Sequence, residues 1–169
     1  MRAAVLNAFC AVLLMIAQSN FDAAFGVNIM CQFGLIALVL ACGVGISAVP
    51  AAVSLMIVAL VCDMWASGPG GLYAFVMMLV FVLFRIVMSR IRSERVIAMM
   101  IYAAVAVVVF EWILAGAYAG IYRSTIYLSI CLRRFWADAL VTAAFVPIVM
   151  ALLQLLDRIF TARRHSGLA

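Results

Sequence analysis

Three ionisable side chains, Asp63, Arg85 and Glu111, lie inside long apolar segments of the sequence. Because an ionisable group is costly in an apolar, membrane-like environment, each is by default a hypothesis for a functional site. Asp63 and Glu111 are candidates for the polar contacts of a central cavity or of a partner helix. Arg85 lies close enough to the end of its segment for its guanidinium group to reach water.

Each of the two acids also has a purely structural interpretation. The carboxylate of Asp63 could accept backbone N–H groups of the turn that follows it. The carboxyl group of Glu111 could be protonated, or paired with an arginine, and serve packing alone. The sequence leaves both interpretations open.

The segment that contains Asp63 ends in a short stretch rich in glycine. It reads Ser67-Gly68-Pro69-Gly70-Gly71-Leu72. Because glycine tolerates positive φ and proline cannot continue a helix, a tight turn is predicted before the apolar pattern resumes at Leu72. We call this stretch, with Asp63 before it, the Asp63 turn. The candidate partner-binding or pocket-binding residues belong to the Asp63 turn and to the last two apolar segments: Asp63, Gly68, Pro69, Gly71, Glu111, Trp112 and Asp138.

Catalytic and metal-binding patterns are missing from the sequence. The five cysteines form no C-x-x-C pair, and the single histidine, His165, lies in the tail, so no Ser–His or Cys–His pair can form inside the apolar segments. A zinc site needs clustered thiolate, imidazole or carboxylate ligands. We therefore expect no enzyme activity, no metal and no cofactor.

The composition is that of an integral membrane protein. Of the 169 residues, 71% are hydrophobic and 10% are charged, and the mean hydropathy is +1.34. Soluble domains are about 45–50% apolar and about 25% charged. The net charge of +5 comes from arginines at the ends of apolar segments, which is not the basic face that binds nucleic acid.

Six apolar segments are candidates for membrane-spanning helices, each of which needs roughly 20 mostly apolar residues. They cover residues 3–17, 27–41, 46–64, 72–88, 96–119 and 137–156, and a basic tail covers 157–169. The predicted fold class is therefore all-α: one integral membrane domain, a polytopic bundle of about six transmembrane helices. We expect the first segment to be a retained helix and not a cleaved signal peptide.

Two parts of this assignment stay open. The second and third spans form one nearly uncharged run, and one of them could be re-entrant, or broken at Pro50. Residues 121–135 could lie along the membrane surface as an amphipathic segment or form a plain loop.

Small residues in the second and third spans permit close helix packing, within the chain or with a partner's helix: Gly34, Ala37, Ala41, Gly43, Gly45, Ser47, Ala48, Ala51 and Ala52.

The distribution of arginines predicts the topology, because cytoplasmic loops carry an excess of basic residues. With six spans and the N-terminus inside, seven arginines face the cytoplasm and three face the other side. The topology-determining arginines, besides Arg2, are Arg90, Arg92, Arg95, Arg158, Arg163 and Arg164. Both termini are therefore predicted to be cytoplasmic, and the Asp63 turn and Asp138 to lie at the outer face.

The stretch from Asp63 to Leu72, with an apolar helix resuming at once, resembles the rod-shape-determining protein MreD family. Glu111-Trp112 in the fifth span, and Phe135-Trp136 with Pro147 in the last, are also similar to that family. The resemblance covers about residues 44–158.

This resemblance implies a multi-pass protein of the bacterial inner membrane that acts as a non-catalytic scaffold of the cell-wall elongation machinery and maintains rod shape. The implied partners are an MreC-like bitopic membrane protein, the peptidoglycan synthases of elongation and, indirectly, the actin-like MreB. The family's fold resembles the substrate-binding subunit of energy-coupling-factor vitamin transporters. The alternative function is therefore a small-molecule-binding subunit with a pocket near Asp63, Glu111 and Trp112.

Overall fold

The backbone of the chain, seen in a computed structural model, is described for residues 2–25, 32–43, 47–65, 69–90, 96–123 and 126–166. Side chains are described for 5–17, 32–43, 47–64, 69–88, 96–123, 129 and 133–156. Apart from short turns, the described part is all-helical. Its helices are α1 (Arg2–Phe25), α2 (Phe33–Gly43), α3 (Ala48–Trp65), α4 (Leu72–Arg90), α5 (Val96–Tyr122) and α6 (Ile126–Ser166).

The shortest helix, α2, lies at the centre of the bundle. Its residues from Phe33 to Cys42 are all buried, and it packs against each of the other five helices. A helix that is apolar on every side is expected to be enclosed in this way. With 11 residues, α2 is about 16 Å long, roughly half of the hydrocarbon thickness of a bilayer.

Close packing around α2 uses small and polar residues together. The side-chain amide of Asn7 on α1 donates a buried hydrogen bond of 2.7 Å to the carbonyl oxygen of Ala37. A Cβ atom added at Gly34 would lie 3.0 Å from Cε of Met77 on α4. At these positions the small residues serve packing within the chain, one of the two explanations that the sequence left open.

Helices α5 and α6 form the most extensive pair in the bundle. Among the residues whose side chains are described, two helical stretches, Val96–Tyr122 in α5 and Arg133–Leu156 in α6, are long and apolar enough to cross a membrane, and four shorter apolar stretches of 10–17 residues lie in α1, α2, α3 and α4. Many large apolar side chains point outward from the bundle, among them Ile97 and Leu140, which are 72% and 70% exposed. Membrane-type helices are thus present, in agreement with the composition.

The structure corrects several predicted boundaries. Residues 126–135 are neither a loop nor a separate surface segment, because α6 begins at Ile126, eleven positions before the predicted start, and runs for 41 residues. Helix α5 likewise continues to Tyr122, and α1 continues to Phe25 through the polar residues 18–20. Helix α2 begins later than predicted, at Phe33, and residues 27–31 lie outside the described part.

Of the alternatives left open for the second and third spans, a break at Pro50 does not occur, because α3 runs without interruption over Ala48–Trp65. Pro50 occupies the first turn of α3, where a backbone N–H has no partner within the helix, so proline is tolerated. The next residue, Ala51, donates its N–H to the carbonyl oxygen of Ser47 at 3.2 Å, and the helix proceeds from there.

Candidate functional site: a polar junction below the Asp63 turn

The carboxylate of Asp63 binds the first turn of α4. Its Oδ2 accepts a hydrogen bond from the backbone N–H of Gly71, and its Oδ1 accepts one from the backbone N–H of Tyr73 at 3.1 Å. The carbonyl of Gly71 in turn accepts the N–H of Phe75 at 2.9 Å, which makes Gly71 the N-cap residue of α4.

This arrangement follows from the glycine at the N-cap. Gly71 has φ of 88°, a conformation that glycine adopts without steric cost, but glycine has no side-chain oxygen to cap the helix. Asp63 supplies that oxygen from the preceding helix, and its negative charge lies at the positive end of the α4 dipole. The structural interpretation of Asp63, as an acceptor of N–H groups in the turn, is therefore confirmed.

The other turn residues among the predicted site residues have different outcomes. Pro69 accepts the N–H of Leu72 through its carbonyl oxygen at 3.2 Å, so it belongs to the capped turn. Gly68 lies outside the described residues.

Tyr73, which follows the turn, contacts residues inside the bundle. Its ring packs edge-on against Phe110 of α5, with a distance of 4.8 Å between the ring centroids. Its hydroxyl donates a 3.0 Å hydrogen bond to Oε1 of Gln32. Tyr73 therefore connects α4 both to α5 and to the residue that precedes α2.

Gln32 is the point at which four helices meet. Its backbone N–H donates to Oγ1 of Thr142 on α6 at 3.1 Å, and its carbonyl oxygen accepts the N–H groups of Leu35 and Ile36 at the start of α2. Its side chain also interacts with the carboxyl group of Glu111 on α5. One residue thus links the N-terminus of α2 to α4, α5 and α6.

Glu111 lies inside the bundle beside charged groups of α6. It is 8% exposed, and the nearby Asp138 is 6% exposed. Asp138 and Arg134 are both close enough to act electrostatically on Glu111. The positive charge of Arg134 opposes the effect that the negative charge of Asp138 has on Glu111.

We call this cluster the polar junction: Gln32, Tyr73, Glu111, Arg134, Asp138 and Thr142. Within the described residues, no buried side-chain nitrogen or oxygen lacks a hydrogen-bond partner. The same part of the chain contains no group of three or more histidine, cysteine, aspartate or glutamate residues that could hold a metal ion. The polar groups of the junction thus satisfy one another's hydrogen-bonding capacity and hold the helices together.

The side chain of Trp112 does not lie in the interior of the bundle, where that of Glu111 lies. Its side chain is 55% exposed, because successive residues of a helix are rotated by about 100° and so face different directions. Trp112 faces the outside of the bundle, and it cannot line an internal pocket together with Glu111.

Arg85, the third ionisable residue of the apolar segments, lies at the other end of α2. It is half-buried, and its guanidinium group interacts with the thiol of Cys42 in the last turn of α2. A positive charge is favourable there, because the C-terminus of a helix carries a partial negative charge. The side chains of Arg90, Arg92, Arg95, Arg158, Arg163 and Arg164 lie outside the described part.

Sequence reasoning missed Gln32, Tyr73, Arg134 and Thr142 as parts of the site. A signal for two of them exists, because Gln32 and Thr142 are among the few amide or hydroxyl side chains of otherwise apolar spans. Tyr73 and Arg134 give no such signal, since tyrosines and arginines are common at span ends.

A cavity of about 460 Å³ lies away from the junction, between α1 and α3. Its lining is apolar apart from Ser54, with Val5, Phe9, Val12, Val53 and Ile57 as the main contributors. The hydroxyl of Ser54 donates to the carbonyl oxygen of Ala51 in its own helix at 2.9 Å. The cavity thus presents hydrocarbon and no convergent polar groups.

No family model matches the chain, and neither the curated proteins nor the solved structures give a significant match.

Proposed function

We propose that this protein is a non-catalytic scaffold of the bacterial inner membrane, similar in role to the MreD family, that serves cell-wall elongation and rod shape. In this proposal the chain crosses the membrane several times with both termini in the cytoplasm. It binds an MreC-like bitopic protein and peptidoglycan synthases, and through them the actin-like MreB. The resemblance from Asp63 to Leu72, together with the contacts of those residues, leads to this proposal.

The observation that carries the proposal is that the polar groups of the junction are already engaged with one another. A site for a small polar molecule has polar groups that converge on a cavity and await the ligand. Here Gln32 is engaged by Tyr73, Thr142 and Glu111, and the buried side-chain nitrogen and oxygen atoms of the described residues all have hydrogen-bond partners. Such a junction supports a rigid bundle better than it supports a binding pocket.

The Asp63 turn gives a second, independent reason. At its end, the backbone N–H groups of Gly71 and Tyr73 are both held by one carboxylate. This fixed entry into α4 offers a constant surface to a partner. The energy-coupling-factor alternative predicts instead that polar residues near Asp63 and Glu111 are open to substrate.

The test is purification of the tagged full-length protein from its native membranes in a mild detergent, followed by mass spectrometry of the co-purifying chains. We expect a bitopic coiled-coil protein and peptidoglycan synthases. Recovery of a membrane coupling protein with ATPases would establish the transporter alternative, and recovery of neither set would remove the scaffold proposal.

Two variants test whether the Asp63 turn contributes to the recovery of partners. Asp63→Asn retains one oxygen acceptor but loses the charge, and we expect it to lower the recovery of partners while the protein still accumulates. Gly70→Ala is the matched control, because a Cβ atom at Gly70 meets nothing within 4 Å. Equal recovery with both variants would show that the turn is not part of the partner surface.

A further inference from the structure

Helices α1 and α3 touch at one level and leave the apolar cavity between them at another. The thiol of Cys62 on α3 donates to Sδ of Met15 on α1 at 3.1 Å. The residues that line the cavity precede both sulfur groups, within 5–12 on α1 and 49–57 on α3. The two helices therefore run in the same direction, and the sulfur contact closes the cavity about one turn beyond its last lining residues.

The cavity has the dimensions of a single hydrocarbon chain. Its lining extends over about 10–12 Å of each helix, which is most of the depth of one leaflet, about 15 Å. An apolar cavity of about 150 Å³ binds benzene, a molecule of six carbons, and on that scale a cavity of about 460 Å³ holds roughly eighteen carbons. Acyl chains of membrane lipids have this length.

The lining offers contacts to hydrocarbon alone. Its one polar residue, Ser54, donates its hydroxyl to the carbonyl oxygen of Ala51 in its own helix, so this hydroxyl is already engaged. Phe9 is 59% and Val49 is 75% exposed, so the cavity is open toward the surroundings of the bundle. Large apolar side chains three or four residues apart form its two walls: Val5, Phe9 and Val12 on α1, and Val49, Val53 and Ile57 on α3.

The contact between Met15 and Cys62 also excludes a partner's helix as the occupant. A helix with its side chains is about 10–12 Å wide, and the axes of two helices in contact lie about 8–10 Å apart. A third helix between α1 and α3 would need their axes roughly twice as far apart, only one or two turns from the point at which they touch. A lipid chain is thin enough to enter without such a separation.

We propose that this cavity, which we call the acyl slot, binds one acyl chain of a membrane phospholipid. The methyl end of the chain lies against the contact between Met15 and Cys62, and the headgroup lies toward the N-termini of α1 and α3. In the proposed topology these N-termini are cytoplasmic, so the lipid belongs to the inner leaflet. The inference rests on the membrane-spanning arrangement of the proposed function and adds a lipid to its partners.

The test uses the purified full-length protein in vesicles of phosphatidylethanolamine and phosphatidylglycerol, with a trace of phosphatidylglycerol that carries a diazirine at the end of one acyl chain. Illumination is followed by mass spectrometry of the labelled peptides. We expect adducts at the closed end of the slot, on Val12 and Ile57. They should exceed at least fivefold those on Ile97 and Leu140, which are 72% and 70% exposed and contact bulk lipid.

Ala8→Phe fills the slot from its lining and should lower the adducts on Val12 and Ile57 at least fivefold. Because filling a cavity commonly stabilises a protein, the thermal midpoint should stay equal or rise, which separates lost binding from lost folding. Ala144→Phe is the matched control, since Ala144 is an exposed alanine of α6 outside the lining of the slot. It should change the adducts less than twofold.

Met15→Ala tests the closed end of the slot. In the unchanged protein, a probe whose labelled chain has about eighteen carbons should give more adduct in the slot than probes of about twelve or about twenty-two carbons. Alanine removes the sulfur contact and so lengthens the slot. The preference should therefore shift toward the longest probe.

Adducts spread evenly over the slot and the two bulk-lipid positions, adducts insensitive to Ala8→Phe, or no adduct would overturn the inference. The absence of a chain-length preference, or one that Met15→Ala does not shift, would also overturn it. The experiment contains no partner protein, so its outcome is independent of the purification test. Labelling confined to the slot without recovery of partners would remove the scaffold function and keep the acyl slot, and partners without such labelling would do the reverse.

Discussion

The hydroxyl of Tyr73 donates a 3.0 Å hydrogen bond to Oε1 of Gln32, a residue 41 positions earlier in the chain. The backbone N–H of the same tyrosine donates to Asp63. Tyr73 is therefore held at two points, one in the capped turn and one in the polar junction. The turn that carries the family resemblance is thus connected, through a single residue, to four helices of the bundle.

The first prediction concerns Tyr73→Phe. This change removes the hydroxyl but keeps the ring contact with Phe110, so it leaves Oε1 of Gln32 without its donor. Hydrogen bonds between helices in membrane proteins contribute about 0.6 kcal/mol on average and up to about 1.7 kcal/mol. We expect the free energy of unfolding in detergent, measured by titration with a denaturing detergent, to fall by about 1 kcal/mol.

Tyr102→Phe is the control for this measurement, because it removes a hydroxyl from a half-buried tyrosine on α5 outside the junction. It should leave the free energy of unfolding nearly unchanged. An equal loss in the two variants would mean that the hydrogen bond to Gln32 is not responsible.

The second prediction compares two neighbouring glycines in the turn. Gly71→Ala places a Cβ atom at a residue with φ of 88°, and the left-handed conformation costs a non-glycine residue about 1–2 kcal/mol. Neither glycine has an atom within 4 Å of an added Cβ, so crowding does not differ between them. We expect Gly71→Ala to lower the free energy of unfolding by about 1–2 kcal/mol.

Gly70→Ala should change the same quantity by less than about 0.5 kcal/mol, as is usual for surface substitutions. If the two alanine variants unfold alike in denaturing detergent, backbone conformation at Gly71 does not determine the stability of the turn.

The third prediction concerns the C-terminal end of α2. A Cβ atom at Gly43 would lie 1.9 Å from Cε and 2.6 Å from Sδ of Met99, a side chain that is 1% exposed. Overpacking of a core typically costs about 1–3 kcal/mol. Gly43→Val should therefore lower the thermal midpoint of the purified protein, measured by intrinsic tryptophan fluorescence.

Gly116→Ala is the opposite case, because an added Cβ there meets nothing within 4 Å and alanine favours a helix by about 0.5–1 kcal/mol over glycine. Its thermal midpoint should stay equal or rise. A lower midpoint for Gly116→Ala than for Gly43→Val would contradict this account of packing around α2.

Local patterns in the sequence predict much of the fold. Long apolar runs separated by glycine, proline or charge predict helices, and the observed α3, α4 and α5 begin within two residues of their predicted starts at 46, 72 and 96. The role of Asp63 as an acceptor for its own turn was also among the sequence interpretations. Both features depend on neighbours close in the chain, which is why the pattern of residues reveals them.

Tertiary structure decided the rest. The sequence does not show that α2 is enclosed on every side, that Glu111 faces inward while Trp112 faces outward, or that α6 starts at Ile126. These features depend on which helices pack together, because a helix that is apolar all round gives no periodic signal for its buried face. The polar junction arises in the same way: Gln32, Tyr73 and Thr142 are far apart in the chain, and only packing brings their hydrogen-bonding groups within reach.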